Sequence, residues 1–375
     1  MQPYLTPVRN HLTVDEVVAL IRDTSAVVVS SGCELLTGMD LLVAEDISDD
    51  LEGGSVTRAS YATLHGSASL TVTRELPWGS ALVRPYLTLT DGVDTARFNL
   101  GAYFTNTPER DLTEFPISYA VECQDILAVL DDPVGDAYAV AKSQSYLTAV
   151  ESILLSRGVV KYSIDQDAAS VLLPTDRTWM FDESTTWLTI VNDLLGAVGY
   201  AGVWSDWDGF IRCTNYVSPR LRATEWTYDT ELLTSMLGSR TTHRDFFSAP
   251  NRWVFYRTNI LDGAAPVEGN GMYTYVNLYD GDTSVEQRGR EITRVVGIDA
   301  ADQASLEASA QRTIDADAAI PTKIRANTFP NPLHWHFDVI RVEDTWMGPP
   351  AKVLSSQWTL PLDGSEMSHE WTVVE

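Results

Sequence analysis

Between Ser55 and Cys123 hydrophobicity alternates residue by residue with hardly a break, and no other feature limits the fold so tightly. In Ala68-Ser69-Leu70-Thr71-Val72-Thr73 the even positions are apolar and the odd ones polar, and Ala96 to Phe104 repeats that pattern. Ile117 to Cys123 carries its larger side chains on the odd positions, while Tyr86 to Thr90 alternates more weakly. A period of two is that of a strand with one buried and one wet face. Four such segments in succession predict an antiparallel meander. A sheet of this kind carries no chemistry of its own, so its use lies in what it builds.

The flanking segments follow other periods. Thr13 and Glu16 make a capping box, and Val17, Leu20 and Ile21 share a face, which predicts a helix over 13–23. A strand pair near Val27–Ser30 and Leu41–Ala44 follows, then a short helix at Asp125–Leu130 closes the meander. Asp131-Asp132-Pro133-Val134-Gly135-Asp136 reads as a linker. Beyond it Leu147, Val150 and Leu154 mark one amphipathic helix ended by Gly158. Trp187 to Val198 marks another, with Ser184 expected as N-cap and Gly199 past its end. A hairpin turns through Asp206-Trp207-Asp208-Gly209. From about 225 strands return: Arg252–Arg257, Met272–Tyr279, Glu291–Val296, Val339–Glu343, Val353–Leu360 and Met367–Val374. One helix at about 302–319, with Leu306, Ala310, Thr313 and Asp317 at helical spacing, interrupts them. The expected fold class is therefore mainly β with an α+β insert. Its parts are an N-terminal helical segment at 1–24, a sheet domain at 25–132, an α+β module at 138–217 and a second sheet domain at 225–375.

A length of 375 residues exceeds one ordinary core and suits several domains. No run approaches the roughly 20 apolar residues of a membrane helix, and the N-terminus lacks a basic start followed by an apolar block, so no signal peptide is expected. Cys33, Cys123 and Cys213 are odd in number and far apart, as befits free buried thiols in a reducing cytoplasm. With 52 acids against 26 bases, the net charge of −26 argues against nucleic-acid binding, which needs a basic stripe. Such acidity keeps a protein dispersed, and it also suits the wall of a passage through which DNA slides without sticking. Glu45, Asp46, Asp49, Asp50 and Glu52, with no base among them, are the candidates to face such a passage.

Other constellations have plainer readings. His334-Trp335-His336 would put two imidazoles, followed by Asp338, on one face of a strand. Two ligands do not make a metal site, so a polar rim is expected there, and no metal or other cofactor. Asp206-Trp207-Asp208-Gly209 lacks the third oxygen ligand and the glutamate of a calcium loop. Nucleophile elbow, zincin, P-loop and dinucleotide motifs are absent, and no catalytic carboxylate pair stands out. Trp204, Trp207, Trp226, Trp253 and Trp371 sit in or beside strands, where core and interface packing explains them better than sugar contact.

The run Gly54-Ser55-Val56-Thr57-Arg58, then Gly66 to Val72, Trp78, Arg84-Pro85-Tyr86 and Phe98 to Tyr103, resembles the tube-like domain of tailed-phage tail hub proteins, the minor tail proteins of actinobacterial phages. The ending Ser356 to His369 is similar to the last hairpin of those proteins. The resemblance implies two tube-like β domains flanking the α+β module, and a homotrimer whose six domains form a pseudo-sixfold ring. It further implies a virion-tail location after assembly in the host cytoplasm. The implied neighbours are a hexameric tail tube or distal tail protein above and a threefold tip or spike below, with phage DNA passing unbound and no membrane segment. No enzymatic activity is expected. A tail-associated cell-wall hydrolase or peptidase is the alternative, against which stands the lack of a lytic segment after Glu375. A carbohydrate-binding receptor module is the third possibility.

Overall fold

The computed structural model describes all residues except 23–26, 109–116, 181–183, 230–235, 245–246, 248, 259–264, 320–321, 345–348 and 375. The chain is mainly β, and the dominant feature is a 14-stranded sheet to which both ends of the sequence contribute. Its path runs Met236–Arg244, Thr322–Thr328, Met367–Val373, Ala351–Pro361, Leu51–Ala59, Gly66–Val72, Tyr119–Asp125, Tyr103–Thr105, Leu82–Thr90, Val28–Leu36, Val43–Asp46. Val339–Glu343 and, beyond it, Trp226–Asp229 branch from Ala351–Pro361, and Thr95–Asn99 branches from Leu82–Thr90.

The alternation in sequence becomes alternation of burial. Gly66–Val72 and Tyr119–Asp125 bury every second residue and pair in register, Leu70 opposite Val121. The long-range seam lies between Ala351–Pro361 and Leu51–Ala59, where Thr359 faces Thr57 and their hydroxyls stand 2.9 Å apart. Cross-strand pairs are the unit of sheet stabilisation, so this seam makes the N-terminal strands and the C-terminal strands one structure. The former are not the expected meander, since Gly66–Val72 lies beside Tyr119–Asp125 and not beside Leu82–Thr90. The helix Val14–Arg22 lies on the sheet through Val17, Leu20 and Ile21. Its capping box forms as expected: Thr13 N donates to Glu16 Oε2 at 2.6 Å and Glu16 N to Thr13 Oγ1 at 3.3 Å.

The helices Tyr146–Ser156 and Trp187–Gly196 pack with the strands Tyr162–Ile164, Trp204–Ser205 and Ile211–Cys213 around a separate apolar core containing Leu147, Val150, Leu154, Leu188, Val191 and Leu195. Farther along, Val267–Glu268, Gly271–Val276, Arg252–Arg257 and Thr293–Ile298 make a four-stranded mixed sheet. The helix Gln303–Ala319 covers it, with Leu306, Ala310 and Ile314 buried on Trp253 and Phe255. All three cysteines are buried and free.

Several local expectations are corrected. Ala96 to Phe104 is two strands, because Leu100 to Ala102 leave the ladder: Gly101 adopts a φ of +104° and its N–H donates to Trp207 O at 2.9 Å. Thr186, not Ser184, caps the second module helix, its hydroxyl accepting from Thr189 N at 3.2 Å. The strands read after residue 225 divide between two sheets. Four further strands, Trp226–Asp229, Met236–Arg244, Val267–Glu268 and Thr322–Thr328, are not expected from the sequence.

Candidate functional site

Two regions hold the residues singled out by sequence. The acids cluster at one end of the large sheet. Glu45 and Asp46 lie on the terminal strand Val43–Asp46, Asp49 and Asp50 on the following 3-10 turn, and Glu52 opens the next strand. All are exposed except Asp50, which is partly covered. The acidic run is not unopposed, because Arg74 crosses to it. Its guanidinium makes two hydrogen bonds to Glu45, at 2.7 and 2.8 Å, and lies 3.8 Å from Asp50. Those bonds hold the Glu45 carboxyl below its ordinary range. The Ser48 hydroxyl, then the Ser48 amide and Tyr86, do the same for Asp46 against the opposing effect of burial. Asp49 and Glu52 reach solvent.

The histidines are not a rim. His334 and His336 lie in a turn, not on a strand, and are 1% and 6% exposed. Burial follows from partners that the spacing did not reveal. His334 Nε2 is 2.7 Å from Tyr228 Oη and 3.2 Å from Asn331 Nδ2, and its Nδ1 lies 3.1 Å from Asp338 Oδ2. That set fits the tautomer with the proton on Nδ1. The two rings therefore serve different neighbourhoods. His336 stacks on His65 at 4.7 Å between centroids. Among the described residues no group of three or more His, Cys, Asp or Glu is placed to hold a metal ion, and no helix is long and apolar enough to cross a membrane.

Beneath His336 lies a feature that sequence reasoning passed over. Arg58 and Asp125, on neighbouring parts of the sheet, are both fully buried and ion-paired at 2.5 Å. Ser205 of the module hairpin donates to the same Asp125 oxygen at 2.9 Å, and Asp125 Oδ1 accepts from Leu127 N at 3.0 Å. The guanidinium carbon sits 3.9 Å over the Trp335 ring, and Trp335 Nε1 donates to Ser205 O at 2.9 Å. Sheet, module and C-terminal turn are thus tied at one charged point. Two glycines make room for it: a Cβ on Gly66 would stand 2.6 Å from Asp125 Oδ2, and one on Gly101 2.4 Å from Arg58 Nη2.

Beside this knot is a cavity of about 510 Å³ where the module hairpin, the helix Gln303–Ala319 and the 335–338 turn meet. Trp204, Trp207, Trp335 and Phe337 wall it, together with the stacked His65 and His336. Burial pushes the His65 imidazole down to about 4 and drives His336 well below its ordinary range, so both rings are neutral at pH 7.

No family model matches the sequence, and no curated protein sequence matches it. Solved structures do. A tail protein from Neisseria meningitidis MC58 superposes with a TM-score of 0.63 over 92% of this chain and 96% of that one, at 9% identity. The 43 kDa tail protein of prophage MuSo2 from Shewanella oneidensis gives 0.59 over 93% and 98%, at 12% identity. A chain of the lidded Francisella PdpA–VgrG complex gives 0.53 over 95% of this chain and 54% of that one, at 9% identity. At these identities the likeness is one of fold, and for the two tail proteins it is nearly end to end: the chain folds as they do.

Proposed function

We propose that the chain is a structural subunit of a phage-type tail, acting as the hub that joins a hexameric tail tube to a threefold tip and surrounds the DNA conduit. The observation that carries this reading is the fold shared with two tail proteins over more than nine-tenths of each chain. The sheet supports it. Its two terminal strands, Val43–Asp46 and Met236–Arg244, each lack a partner on one side among the described strands. Unpaired edges are liabilities in a monomer and natural joints in a closed ring. Three copies, each with two tube-like domains, would supply the six positions that a hexameric tube requires. The role is one of shape and charge rather than catalysis.

The mass in solution tests the assembly. Light scattering at high concentration is expected to give the mass of three chains, or the protein is expected in virions as a threefold ring. A strict monomer that is also missing from virions would end the hub reading. The conduit has its own test. Asp46, Asp49 and Glu52 are proposed to face the passing DNA, so their joint replacement by lysine should slow DNA release severalfold at low salt while particles still assemble. Lysines would add sequence-independent phosphate contacts that weaken as salt rises. Unchanged ejection kinetics at low salt would show that these acids only solubilise the protein.

A further inference from the structure

Asn270-Gly271 is the one Asn-Gly pair in the sequence, and the fold leaves Asn270 in water while holding the backbone around it. We propose that this pair is a site of spontaneous deamidation and that Gln303 guards it in the folded chain. The chemistry needs only water. The Gly271 nitrogen gives up its proton to solvent base and attacks Asn270 Cγ. The N–Cγ bond forms, Cγ–Nδ2 breaks, and ammonia leaves with a proton returned by water. A second water then opens the succinimide at either carbonyl, giving aspartate or isoaspartate. Glycine is the follower least able to obstruct that attack, since it has no Cβ.

Placement supports both halves of the proposal. Asn270 is exposed between the strands Val267–Glu268 and Gly271–Val276. Its amide donates to Val267 O at 2.8 Å, and its carbonyl accepts from Val267 N at 3.1 Å. Gly271, at a φ of +81°, is buried, and its N–H donates to Gln303 Oε1 at 2.9 Å. A nitrogen whose proton is engaged in a hydrogen bond, beside a neighbour pinned at both backbone groups, is a poor nucleophile toward that neighbour's side chain. Gln303 is itself oriented. Its Nε2 donates to Met272 O at 3.3 Å and to Glu307 Oε1 at 2.8 Å, which turns Oε1 toward Gly271. The first residue of the helix Gln303–Ala319 therefore holds the reactive bond of the sheet it covers. Reaction then requires local opening, as amide hydrogen exchange does. Isoaspartate adds a methylene to the main chain, so the paired hydrogen bonds of Val267 and Asn270 would not re-form in the product.

Peptide mapping of the full chain after incubation in warm, mildly alkaline buffer tests this, with isoaspartate counted by enzymatic methylation. In urea the chain should lose the Asn270 amide before that of Asn277, whose follower Leu278 is bulky. The folded chain should react at Asn270 at least about fivefold more slowly, since the reactive state is reached only by opening a hydrogen bond of ordinary strength. Gln303→Ala should recover most of that factor at an unchanged thermal midpoint. Gln303→Met, of similar length and without the acceptor, is read instead if the alanine variant melts early. Equal rates in variant and wild type, equal rates in folded and unfolded chains, or loss at Asn277 before Asn270 in urea would each overturn the proposal.

Discussion

Replacing Asp125 by alanine should remove about 3–5 kcal/mol of stability, a large share of the roughly 5–15 kcal/mol that ordinarily holds a fold together. The cause is not the loss of an attractive pair as such. Arg58 has no exposed surface, so without the carboxylate its charge stays buried beside Trp335 with no counterion. Ser205 and the Leu127 amide would lose their acceptor at the same time, which removes one of the ties between the module hairpin and the sheet. The informative comparison is the double variant Arg58→Met with Asp125→Leu. A buried ion pair replaced by apolar residues of similar size is often neutral or better, so the double variant should recover most of the loss seen in Asp125→Ala. Urea midpoints of the two variants measure this. A single variant within about 1 kcal/mol of wild type would mean that water reaches Arg58 and that the knot is not a closed one.

The second large effect is acid sensitivity well above the carboxylate range. Burial holds His65 near 4 instead of its ordinary 6.5, Asp125 raising and Arg58 lowering it by smaller amounts. Burial also drives His336 and His369 well below 6.5. His65, Arg58 and the N-terminal ammonium push His336 further down, while for His369 the lowering by His334 is partly offset by Asp338. Between pH 6.5 and 4 the unfolded chain therefore binds protons that the folded chain refuses. Stability is fully present above about pH 6.5 and falls as pH drops through that window. His65 alone should contribute a loss of about 2 kcal/mol between pH 7 and pH 5, and the other two act in the same direction. The lowered Glu45 and Asp46 carboxyls act only at more acid pH, below their ordinary values of 4.5 and 3.8. Denaturant midpoints at pH 7, 6 and 5 separate the two windows. A flat profile down to pH 5 would show that the imidazoles take up protons without unfolding.

Much of the fold was written in local sequence. No meander forms, because Gly66–Val72 pairs with Tyr119–Asp125 instead of the next strand in sequence. The capping box, both module helices and the strands Gly66–Val72, Leu82–Thr90, Tyr119–Asp125 and Arg252–Arg257 do appear where period and capping placed them. These features are local: a period of two or 3.6 needs only the neighbouring residues. Thr322–Thr328 gives little strand signal although Ile324, Ala326 and Thr328 occupy one buried face, because the alternating residues include Lys323 and Asn327, which have poor strand preference. Its membership was decided by pairing with Met367–Val373 on one side and Met236–Arg244 on the other.

Arg58 and Asp125 mark the boundary between the two kinds of information. Each stands in phase with apolar neighbours, Arg58 with Val56 and Asp125 with Val121 and Cys123, so each alone reads as a strand slipping toward solvent. Only the folded chain brings both to one point, closes it with Ser205 and Trp335, and makes two buried charges tolerable. The histidine turn teaches the same lesson, since Tyr228 and Asp338 turn an apparent rim into core. Sequence by itself determined most of the strands, the longer helices and the acidic balance, because these depend on nearest neighbours and on sums. Tertiary structure decided the long seam between Thr57 and Thr359, the Arg58 knot and the cavity beside it, because each joins residues that no local period relates.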